Sequence, residues 1–305
     1  MNTKDYKEVQ ELEKKEYQAP ELAIENLTKA LYESNQKLAR VMRERDDIFS
    51  NISHDLRSPI TTIHNSLEYL LEQKDLSKEE ISETLNIMYK RTLTLEHMVE
   101  NIFLLTKLKS SNQLFSFKNV PIGSFLEDLF YQRMVEQKYS ERKLMINIPM
   151  DFPYSANIDI DYLTRAIDNL LENALKASKK DDIISLEALL LDDFHIKEIV
   201  KTQSDGTCIS DKDIDVFIHS NPGTAYCYIK IWNTGSIMTQ DMISHIFERT
   251  YTAQNARTPS SKSGIGLGLT ICRSIIEKHE GKIWCTSIPT EEKCIFNILL
   301  PVYSM

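Results

Sequence analysis

From Leu31 to Leu70 the chain places Leu31, Leu38, Met42, Phe49, Ile52, Leu56, Ile63, Leu67 and Leu70 close to a three-four alternation, the seam of a coiled coil. The helical pattern starts after Pro20, and its roughly 50 residues at 1.5 Å each make a rod of about 75 Å, too long to be buried in a globule. It needs a partner helix. Asn35 and Arg45 interrupt the seam, as polar residues do where register is fixed at some cost in stability. At "KDLS" (74–77) the pattern turns, and Ser77 with Glu80 three residues on forms a capping box. A second seam follows through Ile81, Leu85, Met88, Thr92, Leu95, Val99 and Ile102. Two helices joined by a short turn make an antiparallel hairpin, and two such seams cannot close a core alone. The expectation is a homodimer in which two hairpins pair as a four-helix bundle.

From about residue 112 the character changes. "FSFKNVPIGSF" and "KLMINIPM" alternate like strands, and "DIDYLTRAIDNLLENALKAS" is an amphipathic helix opening with acids. Strand-like runs recur at 183–191, 214–218, 226–232, 282–288 and 294–300, with helices near 239–247 and 266–280. The polar stretch 202–224 reads as a loop or hairpin insertion. The fold class is therefore α+β in two domains, the helical hairpin followed by an α/β sandwich.

A net charge of -9 argues against nucleic acid as a partner, because a phosphate backbone would be repelled over most of the surface. Cys208, Cys227, Cys272, Cys285 and Cys294 show no metal-ligand spacing, and an odd number fits reduced structural thiols better than a disulfide framework. The first 20 residues lack the apolar stretch of a signal peptide, and no run approaches the ~18 apolar residues of a membrane span. A cytoplasmic protein is expected.

"NISHDLRSP" (51–59) sits on the first helix. Ile52 and Leu56 lie on the seam, so His54, about 200° round the helix from either, points outward, and Ser58 one turn on shares that face. Asp55 can accept from Nδ1–H of the ring, leaving the lone pair on Nε2 and stabilising positive charge as the ring attacks an electrophile. Pro59 crowds the carbonyl of Asp55 and should bend the helix beside His54. Taken singly, each residue also fits an ordinary polar surface position or a tolerated kink.

Together, "FSNISHDLRSPITTI" resembles the H-box of sensor histidine kinases of the HisKA class, a resemblance covering roughly residues 40 to 301. It implies that His54 is autophosphorylated, that Asp55 acts as base, and that Ser58 assists phosphatase activity toward the partner receiver. "NLLENALKAS" places Asn169 and Asn173 one turn apart on one helical face with Lys176 three further on. Amide oxygens can ligate Mg²⁺ and the ammonium can balance phosphate charge, although the fragment alone could be a solvated polar stripe. It resembles the N-box, with Asn173 as the implied metal ligand. The wider GHKL ATPases carry a water-activating glutamate where this chain has Asn169. An amide cannot take that proton, which points to transfer onto a side chain.

"SSKSGIGLGLTICRS" supplies Gly264, Gly266 and Gly268 ahead of a helix whose N-terminus favours an anion. It resembles the G2-box, preceded by an ATP-lid-like stretch containing Arg257 and Lys262. "IWNTGSI" resembles a G1-box in which Asn233 replaces the usual aspartate and Ser236 the second glycine, with Gly235 retained. An asparagine carbonyl can still accept from the adenine amine, without charge assistance and at a cost of about 1 kcal/mol. "HIFERTYTA" resembles the F-box through Phe247, with Thr250 and Thr252 where aromatic and basic residues are common.

The pattern gives a mobile lead (1–20) and a signalling coiled coil (21–47), and the resemblance implies a dimerisation and histidine phosphotransfer domain (48–111) and a Bergerat-type ATP-binding domain (112–305). It implies ATP and Mg²⁺ as cofactors, a response regulator receiver domain as partner, and an upstream sensor protein as a source of input. Two other readings stay open: a degenerate, noncatalytic scaffold that binds a receiver, favoured by Asn233, Ser236 and Thr252, and a hydrolytic ATPase, disfavoured by Asn169.

Overall fold

A computed structural model describes residues 3–73, 75–109, 115–150, 152–202, 210–220, 225–248 and 267–304. The chain divides into two compact units, Met1–Arg57 and Ser58–Met305.

Helix α1 runs Thr3–Glu72 and α2 runs Lys78–Lys109. The helix thus begins well before the seam, and neither Pro20 nor Pro59 ends it. The Glu- and Lys-rich opening favours helix through propensity although it carries no apolar stripe to read. Between the helices the capping box forms as expected: Glu80 N–H donates to Ser77 Oγ at 3.2 Å, and Ser77 N–H donates to Glu80 Oε2 at 2.9 Å. That backbone bond, with the Ser77 hydroxyl, holds the Glu80 carboxyl below its ordinary pKa. Seam residues lie bare in the single chain, Leu31 at 63%, Leu38 at 54%, Phe49 at 63%, Leu85 at 50% and Val99 at 58% exposure. Toward the end of α2, Met98, Leu104, Leu105 and Leu108 are buried instead, and α2 packs against a helix of the following domain, α8 (Leu267–Lys278).

The rest of the chain builds a mixed sheet. In chain order come β1 (Lys118–Pro121), α3 (Ile122–Met134), β2 (Lys143–Asn147), β3 (Tyr154–Ile158), α4 (Ile160–Ala177), β4 (Ile183–Leu191), α5 (Asp193–Thr202), α6 (Asp211–Ser220), β5 (Ala225–Thr234), α7 (Gln240–His245), α8, β6 (Lys282–Ile288) and β7 (Lys293–Ser304). The strands order β1-β3-β7-β5-β4-β2, with β6 also paired to β7. Among the described residues, only β2 and β4 run parallel. Helix α4 owes its position to Leu163, Ala166, Ile167, Leu170, Leu171 and Ala174, a three-four stripe that is wholly buried. Its N-cap is Asp159, whose side chain accepts from Tyr162 N–H. Helix α8 packs on α4, and the Cys272 thiol donates to Ala166 O at 3.3 Å.

Two sequence readings are corrected. In "FSFKNVPIGSF" the strand stops at Pro121 and α3 starts at Ile122. The supposed strand at 214–218 is helical, part of α6, which lies inside the stretch 202–224 that reads as a loop or hairpin insertion. Ile196, Ile214 and Ile218 form a buried cluster with Tyr226, Tyr228, Trp284 and Leu299, and Ile199 and Phe217 pack on it. Spacing 214, 217, 218 is helical as well as strand-like, and packing on the sheet decides between them. A capping box of Ser210 and Asp213, with Asp213 N–H on Ser210 Oγ at 3.2 Å, starts α6; the S-x-x-D pattern in "SDKD" was the available signal.

Candidate functional site

His54 lies on α1 with its side chain 81% exposed, and its Nδ1 is 3.3 Å from Asp55 Oδ1, itself 32% exposed. With Nδ1–H donating to the carboxylate, Nε2 keeps its lone pair toward solvent. Ser53 binds back to Phe49 O at 2.7 Å, which takes the neighbouring hydroxyl out of competition for the ring. Ser58, further along the helix, is exposed, and its carbonyl accepts from Thr62 Oγ1 at 3.1 Å. His54 is displayed outward, and Asp55 stands within hydrogen-bond reach of its ring.

Asn169 and Asn173 are half-buried on α4 and Lys176 is exposed in its last turn. The Asn169 amide nitrogen is buried without a hydrogen-bond partner. The nearby Cys272 thiol senses that amide, but burial dominates and pushes this thiol up to about 12, and sulfur is a weak acceptor. A buried, unpaired amide costs free energy unless something bound supplies its partner. Gly268, in the first turn of α8, comes so close that a Cβ there would stand 3.5 Å from Asn169 Oδ1. The asparagine and the glycine, 99 positions apart in the sequence, therefore line one place.

At the end of β5, Asn233 is buried, and its Nδ2 donates to Thr234 O and to Ser236 Oγ, each at 2.9 Å. Gly235 follows with φ +80°, a left-handed conformation, and a Cβ there would fall 2.9 Å from Cγ of Asp182. Asp182 is occupied in turn: Lys179 N–H donates to its Oδ2 at 2.6 Å. Asp182 escaped the sequence reading because only the fold brings 182 beside 235. Phe247 is buried edge-on to Phe296, and Thr270 Oγ1 of α8 lies 3.3 Å from both Phe247 O and Glu248 O. Phe247 is thus part of the core beside α8. Arg257, Gly264 and Gly266, together with Thr250, Thr252 and Lys262, lie outside the described residues.

Behind the asparagines, Asp168 of α4 takes a two-pronged bond from Arg133 of α3, Nε to Oδ1 at 2.6 Å and Nη2 to Oδ2 at 2.7 Å. These bonds raise the guanidinium pKa further against the opposing effect of burial. Four thiols, Cys227, Cys272, Cys285 and Cys294, are buried, and burial pushes Cys227 up, as befits structural rather than reactive cysteines. Among the described residues no helix is long and apolar enough to cross a membrane.

Residues 158–304 match the family of histidine kinase-, DNA gyrase B- and HSP90-like ATPases, and residues 44–111 match the His kinase A phospho-acceptor domain. The chain belongs to the HisKA-class sensor histidine kinases. The sensor protein kinase WalK of Staphylococcus aureus is 26% identical over 262 residues, 86% of this chain. This chain spans 55% of that relative and 37% of the WalK of other strains of the same species. Among solved structures, the histidine kinase ThkA in complex with the response regulator TrrA has a TM-score of 0.59 at 19% identity, covering 84% of this chain and 61% of that one. ShkA in complex with AMPPNP has a TM-score of 0.54 at 17% identity, covering 84% and 46%. At these identities the two structures speak for the fold.

Proposed function

We infer that the chain is a homodimeric protein-histidine kinase that transfers the γ-phosphoryl group of ATP to His54 and then to an aspartate of a response regulator. The carrying observation is the exposed imidazole of His54 with Nδ1 held by Asp55, inside the segment that matches the phospho-acceptor family. In the transfer, the bond from the γ-phosphorus to its bridging oxygen breaks, an Nε2–P bond forms, and ADP leaves. Asp55 holds the Nδ1 proton and stabilises the charge that develops on the ring. The phosphoramidate is a good donor because its nitrogen leaves readily once protonated.

The nucleotide would be held by Asn169, Asn173, Lys176, Asn233, Gly235 and Gly268, with Arg257, Gly264 and Gly266 completing the set. Asn173 would offer a carbonyl oxygen to Mg²⁺, which when bound would neutralise phosphate charge. The unpaired Asn169 amide supports the same place. Ser58, exposed on α1, would position water for the reverse, dephosphorylating reaction. The bare seams of α1 and α2 support pairing of two hairpins as a four-helix bundle, with residues 21–47 as a signalling coiled coil to which an upstream sensor protein could dock. ThkA, solved with a response regulator, supports a receiver domain as the partner.

Incubation with γ-labelled ATP and Mg²⁺ separates the readings. Acid-labile, base-stable label on the protein is expected. Bound nucleotide without label would mean a scaffold, and steady phosphate release without label would mean a hydrolytic ATPase.

A further inference from the structure

Asn233 and Ser236 are the two places where "IWNTGSI" departs from the aspartate and glycine of the motif it resembles, and the structure joins them. Both hydrogens of the Asn233 amide are committed, one to Thr234 O and one to Ser236 Oγ. The amide cannot turn over, because Oδ1 would then face the Thr234 carbonyl, acceptor against acceptor. Gly235, at φ +80°, turns the chain so that Ser236 returns toward the amide, and Ser236 N–H donates to Glu292 O at 3.3 Å, which holds the return in place. What Asn233 has left for a ligand is the acceptor Oδ1.

Resting on the nucleotide-site reading above, we propose that Ser236 is a positioning residue that sets base selectivity through Asn233. An aspartate at 233 carries no hydrogen and could only accept. An asparagine brings a donor with its acceptor, and a free amide hydrogen would bond the carbonyl oxygen of a 6-oxo purine such as hypoxanthine. Ser236 takes up that hydrogen. The pair then presents an acceptor alone, which bonds the exocyclic amine of a 6-aminopurine and repels a 6-oxo group. Because Asn233 is only 2% exposed, a mismatched base leaves polar atoms unpaired away from water, which is where hydrogen-bond discrimination is strongest. The two departures are one device.

Calorimetric titration of the full chain with Mg-ATP and Mg-ITP tests this. The ratio of the two affinities in a single variant cancels any general weakening of the site. Wild type should prefer ATP, Ser236→Ala should lower that preference by about tenfold, and Ser236→Thr, which keeps the hydroxyl, should restore it. With Asn233→Asp in the background, Ser236→Ala should leave the ratio unmoved, since no amide hydrogen remains to be sequestered. An unchanged ratio in Ser236→Ala, or an equal drop in the Asn233→Asp background, would overturn the inference while leaving the nucleotide site intact. A wild type that binds neither nucleotide would remove the site reading and this inference with it.

Discussion

Replacing Gly235 by alanine strikes the turn on which the β5 end of the site depends. Two costs can be read from the structure. A side chain at φ +80° costs about 1–2 kcal/mol. The new Cβ also meets the Asp182 carboxylate, 2.9 Å from its Cγ, so the carboxylate must swing away and give up its bond to Lys179 N–H, about 1 kcal/mol for a half-exposed group. The sum is about 2–3 kcal/mol, a large share of the 5–15 kcal/mol typical of a domain. Both tryptophans, Trp232 and Trp284, lie in β5 and β6, so their fluorescence in urea follows this sheet. With a slope on the order of 2 kcal/mol per molar, the midpoint should fall by about 1 M at unchanged slope. In an Asp182→Ala background the obstacle is already gone, and Gly235→Ala should cost only the conformational 1–2 kcal/mol. A midpoint within about 0.2 M of wild type for the single variant would refute the account of this turn.

Acidification should destabilise the sheet domain through His279. Its buried ring accepts from Asp159 N–H at Nε2 (3.0 Å) and holds Ile275 O at Nδ1 (2.8 Å), with the Phe115 and Phe117 rings edge-on. Burial lowers its pKa below the ordinary 6.5 despite those contacts and Asp159. Its contribution is therefore complete above 6.5 and is lost as pH falls from there through the lowered folded value. His245, raised by Glu248, acts oppositely, so the diagnostic is the difference between wild type and His279→Gln: urea midpoints should fall more steeply in wild type between about pH 6.5 and 5. Equal slopes would contradict this. Breaking the Arg133–Asp168 pair with Arg133→Ala should lower stability by about 1–3 kcal/mol and leave His54 chemistry to be read separately. Leu38→Glu should shift the sedimenting species from dimer to monomer, because it puts a charge into a seam that is 54% exposed in the single chain at that position; a variant that stays dimeric would contradict a coiled-coil seam there.

Periodicity made long elements readable. The seam, the capping box at Ser77, the buried stripe of α4 and the apolar run of β4 all depend on local spacing. So did the outward face of His54, since its neighbours Ile52 and Leu56 share the seam. What spacing could not supply were contacts between distant segments: Asp182 under Gly235, Gly268 beside Asn169, and Arg133 behind Asp168. The stretch at 214–218 misled for a related reason. Five residues with Ile214, Val216 and Ile218 fit a strand period, and only the surface offered by Tyr226, Tyr228 and Trp284 selects the helix that buries Ile214 and Ile218 together. Asn233 and Ser236 looked like two separate losses in sequence, whereas their side chains bond to one another.

The most direct measurement is the location of the phosphoryl group. After incubation with Mg-ATP, the protein is digested at neutral to basic pH, where phosphohistidine survives, and fragmented by mass spectrometry. The modification should map to His54 and vanish in His54→Gln, while that variant still binds ATP. Phosphate found on another residue, or persisting in His54→Gln, would contradict the claim that this exposed imidazole is the phosphoryl acceptor.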